Sequence, residues 1–133
     1  MKRKIRMTVQ NLIDELYKID EKGLKVCLVD SEEGAFAIRD MAVCHDKFED
    51  PKDVFSLKFM ESDNYIRDSM TVAELIGTLE SKINEGLDRE LFVIIGWSEA
   101  GRFIQNVSKE TYTDVKTGES KDIVCIDDIV SDF

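Results

Sequence analysis

Proline is nearly missing from this chain: its 133 residues hold one, Pro51, together with seven glycines and no Gly/Ser-rich stretch. No flexible linker or low-complexity tail can be built from so little of either, so the whole length reads as folded. No apolar run reaches the roughly 18 residues a spanning helix needs, which leaves no candidate membrane segment. Histidine is reduced to His45. The three cysteines, Cys27, Cys44 and Cys125, are odd in number and form no CxxC pair, so zinc-ligand spacing is absent. Each cysteine sits in an apolar run and reads as a buried reduced thiol. The phosphate-cradling glycine patterns and the GxSxG nucleophile elbow are missing too. Cys44 and His45 are adjacent, and neighbouring strand residues point to opposite faces, so they cannot work as a nucleophile–base pair. The acids Asp46, Glu49, Asp50 and Asp53 lack the alternating calcium-loop pattern with its central glycine and read as a solvated loop. The expectation is a protein that is not an enzyme, with no catalytic residue, no metal and no cofactor.

Charge, by contrast, is plentiful and one-sided. The net charge is −10; beyond the basic leader Met1–Arg6, residues 7–133 carry 28 acidic against 14 basic side chains, or −14. Such a surface repels phosphate backbones, which disfavours direct nucleic-acid binding. It suits a partner that is itself basic, and it equally serves solubility alone. The leader is basic like the start of a signal peptide, but an amphipathic segment follows it in place of an apolar stretch, so the expected location is cytoplasmic.

The strongest pattern is internal. Met7-Thr8-Val9-Gln10-Asn11-Leu12-Ile13-Asp14-Glu15-Leu16 aligns with Met70-Thr71-Val72-Ala73-Glu74-Leu75-Ile76-Gly77-Thr78-Leu79, and the same offset holds at Gly23-Leu24 and Gly86-Leu87. In a shifted register Glu32, Gly34 and Phe36 match Glu99, Gly101 and Phe103. Thr8 and Thr71 are helix N-caps, with Glu74 completing a capping box and Asn11 a weaker one. Val9, Leu12, Ile13, Leu16 and Ile19 make one apolar stripe; Val72, Leu75, Ile76, Leu79 and Ile83 make another. Gly23 and Gly86 suit the left-handed position that ends a helix. Apolar strands follow at about Lys25–Val29 and Leu91–Ile95, then Ala35–Val43 and Arg102 onward, then the alternating Phe55-Ser56-Leu57-Lys58-Phe59 and Asp122–Ile129. Lys116-Thr117-Gly118-Glu119 is a hairpin turn candidate.

The predicted fold class is therefore α+β: two tandem helix–strand–strand–strand repeats, about 7–62 and 70–130, packed as one pseudo-two-fold domain over residues 1–133, with antiparallel sheet and two helices. One sheet and two layers are both compatible with the pattern. Positions where the repeats differ are the informative ones. Trp97, the sole tryptophan, lies in a turn where the first repeat has a small polar residue near Ser31, with Glu99 and Arg102 beside it. Trp97, Arg102 and Glu99 form a candidate partner contact. The plain alternative is a tryptophan folded back over the sheet edge.

The Met-Thr-Val-x-x-Leu-Ile-x-x-Leu opening, the Gly-Leu exit and the apolar strand resemble small uncharacterised proteins encoded by phages and mobile elements of Gram-positive bacteria, in which the motif usually starts the chain. The resemblance covers about residues 7–38 and again about 70–105. It carries no catalytic residues, and it implies that Met70 marks the start of a second, fused copy. The expected function is a non-enzymatic protein of that origin that engages another protein, in its sharpest form an acidic inhibitor of a nucleic-acid-binding protein. A small-ligand module with a pocket between the repeats is the alternative, and a homo-oligomer is compatible with either.

Overall fold

A computed structural model of the chain describes residues 7–30, 34–45, 53–60, 65–96, 102–113 and 115–128. The fold is α+β. In chain order the elements are α1 (Val9–Tyr17), β1 (Val26–Asp30), β2 (Gly34–His45), β3 (Asp53–Met60), α2 (Tyr65–Asp68), α3 (Val72–Asn84), β4 (Val93–Ile95), β5 (Arg102–Phe103), β6 (Asn106–Thr113) and β7 (Ser120–Asp127).

Both long helices start as their sequences dictate. The Asn11 amide donates to Thr8 Oγ1 at 3.1 Å and Asn11 Oδ1 accepts from the Thr8 amide at 3.1 Å. Thr71 and Glu74 repeat the arrangement at 3.1 and 3.0 Å. A helix opens with orphan amides that need acceptors, and the two preceding donors in each helix find theirs in a distant strand entry. Val9 and Gln10 donate to the carbonyls of Leu91 and Arg89 at 2.9 and 3.0 Å; Val72 and Ala73 donate to those of Leu24 and Lys22 at 2.9 and 3.0 Å. Return bonds run from Val93 to Met7 at 2.9 Å and from Val26 to Met70 at 2.7 Å. The start of each helix is thus stitched to the strand that follows the other helix.

The helices end differently. Gly86 (φ +117°) takes the left-handed position, with its amide on the Ile83 carbonyl and the Leu87 amide on the Lys82 carbonyl, a Schellman closure. Gly23 does not play that part. α1 stops at Tyr17 with Lys18 as its right-handed cap, and the Lys22 ammonium takes the carbonyls of Tyr17 and Ile19. A cation on the last carbonyls satisfies the helix end without a left-handed residue.

The strands form one seven-stranded sheet in the order β5-β4-β3-β2-β1-β7-β6. It is mixed, which corrects the antiparallel expectation: β1 runs parallel to β7 and β3 parallel to β4. The connection from β3 to β4 carries α2 and α3, the kind of crossover that parallel neighbours require. α2 itself was not foreseen. The two edge strands, β5 and β6, are successive pieces of one segment. Between them, the Ile104 amide donates to the Val93 carbonyl at 3.1 Å and the Gln105 amide to the Asp127 carbonyl at 2.8 Å. Two consecutive residues therefore tie β4, near one end of the sheet, to the end of β7, near the other.

Period-2 alternation sorts the strands into two faces. Val26, Leu28, Phe55, Leu57, Val93, Ile95, Val124 and Ile126 meet the buried stripes of α1 and α3 in the main core. On the opposite face Cys27, Ile123 and Cys125 form a smaller cluster covered by Ile66 of α2 and by Tyr112.

Candidate functional site

Of the residues singled out in the sequence, Trp97 and Glu99 lie outside the described residues. Arg102 opens β5 opposite Ile95, and its backbone alone is described. Gly96 (φ +93°), the residue before Trp97, is buried; its amide donates to the Leu57 carbonyl at 3.0 Å, and its carbonyl accepts from Ser56 Oγ. His45 ends β2 opposite Asp53, and Cys44 sits half-buried beside it, facing Val54 across the sheet. Asp46, Glu49 and Asp50 lie outside the described residues. Among those described, no three His, Cys, Asp or Glu side chains converge as metal ligands would.

The thiols are placed by the register. Cys27 and Cys125 are direct partners across the parallel pair β1–β7, both buried and both free. Burial, then the neighbouring thiol, pushes Cys27 up to about 12 against the pull of Lys25. Burial and the carboxylates of Glu110 and Asp127 push Cys125 up to about 11. A thiol so shifted is protonated and unreactive at neutral pH.

Two concave features lie where the halves of the chain meet. The first is a groove of about 420 Å³ between α1 and α3, lined by Gln10, Ile13, Asp14 and Tyr17 on one side and Glu80, Ile83, Asn84 and Arg89 on the other. Tyr17 is 52% exposed, and its hydroxyl donates to the Glu80 carboxylate, 3.1 and 3.0 Å from the two oxygens. That bond raises the phenol above its ordinary value, because ionisation would set two anions against each other. Lys22 Nζ stands 6.0 Å from the Tyr17 ring centroid, at the limit of a cation–π contact. At the far end, Arg89 donates to Gln10 Oε1 at 3.4 Å. Sequence reasoning passed over this pair. Its signal was nonetheless present: at the offset that aligns Met7 with Met70, Tyr17 falls on Glu80 and Asp14 on Gly77.

The second is a cleft of about 810 Å³ between the loop at Glu21–Lys25, α2 and the tip of the β6–β7 hairpin. Leu24, Ile66, Tyr112 and Val115 supply its apolar surface, and Val115 is 95% exposed. Lys25 Nζ donates to the carbonyls of Arg67 and Ser69 at 3.2 and 2.9 Å, tying α2 to the start of β1. Lys109 joins the hairpin to the same loop through Glu21 at 2.9 Å, a pairing that raises the ammonium above its ordinary value.

The helical segments share the acidic excess of residues 7–133. The segments that contain α1 and α3, residues 7–24 and 70–91, hold nine acidic and four basic side chains. All nine acids are exposed or half-exposed. No described helix is long and apolar enough to cross a membrane. No protein-family model matches the sequence, and no curated protein or solved structure is significantly similar to it.

Proposed function

We propose that the protein is a non-enzymatic binding module of phage or mobile-element origin that engages another protein, and that it acts as an acidic inhibitor of a nucleic-acid-binding protein. One observation carries this. The helical layer carries nine solvent-facing carboxylates against four cations, −5 of the −14 that residues 7–133 hold. A field of one sign over one layer steers and orients a partner of the opposite sign. The surface of a protein that handles nucleic acid is basic because it must neutralise phosphates. The reciprocal bonding of the two helix starts further supports an origin by internal duplication, with Met70 at the head of the second copy.

The test is capture from host lysate on the immobilised full chain, followed by elution with a salt gradient. A basic nucleic-acid-handling protein that elutes as salt rises is the expected outcome, and its nucleic-acid binding should be blocked by the added module. Recovery of salt-insensitive partners only would refute the acidic form of the proposal.

The cleft beside α2 favours a second reading, a small-ligand module, because both halves of the chain line it and its apolar wall is open. A metabolite or nucleotide bound there to the native state must raise the unfolding midpoint. Thermal-shift screening therefore separates the two proposals.

A further inference from the structure

We infer that the groove between α1 and α3 is a docking notch for an arginine side chain presented by the basic partner. The inference rests on the acidic-binding proposal and locates it on one surface. Three separate features converge there. Tyr17 offers a half-exposed aromatic ring that is held from behind, because its hydroxyl is fixed on Glu80 at 3.0–3.1 Å. Asp14 and Glu80 supply carboxylates on opposite walls. The third feature is an absence of side chain. Gly77 lies on the same face of α3 as Glu80 and Asn84, three and seven residues on, and a Cβ built there meets nothing within 4 Å. Mid-helix glycine is unfavourable where alanine would fit, so its use on this face leaves the approach to the notch open.

The molecule's own cations behave as a partner's would. Lys22 approaches the Tyr17 ring from one side, and the Arg89 guanidinium reaches the groove's polar wall at Gln10. Arginine suits the notch better than lysine, because a planar guanidinium can stack on the ring while it pairs with a carboxylate edge-on. A cavity of about 420 Å³ has room for that side chain beside the residents.

The probe is a fluorescein-labelled hexa-arginine peptide titrated against the full chain by anisotropy, with hexa-lysine for comparison. Hexa-arginine should bind more tightly than hexa-lysine. Tyr17→Ala should weaken it roughly fivefold to tenfold, about what loss of one ring–guanidinium contact with its carboxylate represents. Glu85→Gln, which removes a charge from the same layer outside the groove, should stay within about twofold. Gly77→Lys blocks the approach while it improves helix propensity, so it should abolish binding with the fold intact by circular dichroism. Equal losses for Tyr17→Ala and Glu85→Gln, or undiminished binding by Gly77→Lys, would overturn the notch. The two proposals fail separately. A basic lysate protein captured equally by native chain and Tyr17→Ala refutes the notch alone. Peptide binding lost on Tyr17→Ala, with no basic protein captured, refutes the inhibitor role alone.

Discussion

Ser69 does with one hydroxyl what a stretch of backbone does elsewhere. It follows α2, is buried, accepts from the Ile38 amide at 3.1 Å and donates to the Val26 carbonyl. The β2 register shifts between Ile38 and Asp40, so at that irregularity the hydroxyl supplies the acceptor that the neighbouring strand does not. Ser69→Ala would leave a buried amide without a partner, at a cost of about 1–3 kcal/mol in urea unfolding. The thiols give a second prediction at this scale. Both ordinary values are 9.0, and the folded chain holds Cys27 at about 12 and Cys125 at about 11. As pH rises past 9.0 the unfolded chain ionises these thiols while the folded chain does not. Their contribution to stability is complete below that pH and is lost as the pH climbs toward the folded values. Cys27→Ala should therefore flatten the alkaline fall of the urea midpoint; an unchanged slope would exclude thiol ionisation as its cause.

At the scale of elements, the helices are governed by local chemistry. Thr71→Ala removes the oxygen that caps the Glu74 amide and should cost about 1 kcal/mol. The same bonds hold the Glu74 carboxyl below its ordinary value, with the Thr71 backbone amide the largest cause. The cap's ionic part is therefore present at neutral pH and fades as acid protonates Glu74. Gly77→Ala should act in the opposite sense, stabilising by about 0.5–1 kcal/mol, since nothing obstructs the added methyl. Comparing the thermal midpoints of these two variants with the native chain checks both signs. Caps, stripes and alternating strands were legible in the sequence because each is decided within a few residues. Thr8, Thr71, Phe55 and Leu57 all stand where the pattern put them. The parallel pairs were not legible, because Val26 meets Val124 and Phe55 meets Val93 only through the crossover of the whole chain. The end of α1 was missed because a lysine four residues past the cap replaced the expected glycine. The Tyr17–Glu80 groove escaped because it is a relation between two helices, and neither residue is distinctive alone.

For the whole molecule, the decisive fact is that neither half completes its own sheet. β1 takes its parallel neighbour from the far end of the chain, and β3 takes its own from the strand after α3. The amides that open each helix are likewise satisfied by the other half. A first half ending before Tyr65 should show no cooperative unfolding transition, and mixing it with the second half should restore one; a sigmoidal melt from either half alone would refute the interdependence. The pairing of Val26 with Val124 also has a consequence for synthesis. Translation delivers residues from the N-terminus onward, so β1 leaves the ribosome long before its partner exists. Contacts so distant in sequence form slowly. The nascent chain must carry an unfinished strand edge until β7 emerges, and the order of manufacture, more than the stability of the finished sheet, sets when this protein becomes vulnerable to aggregation.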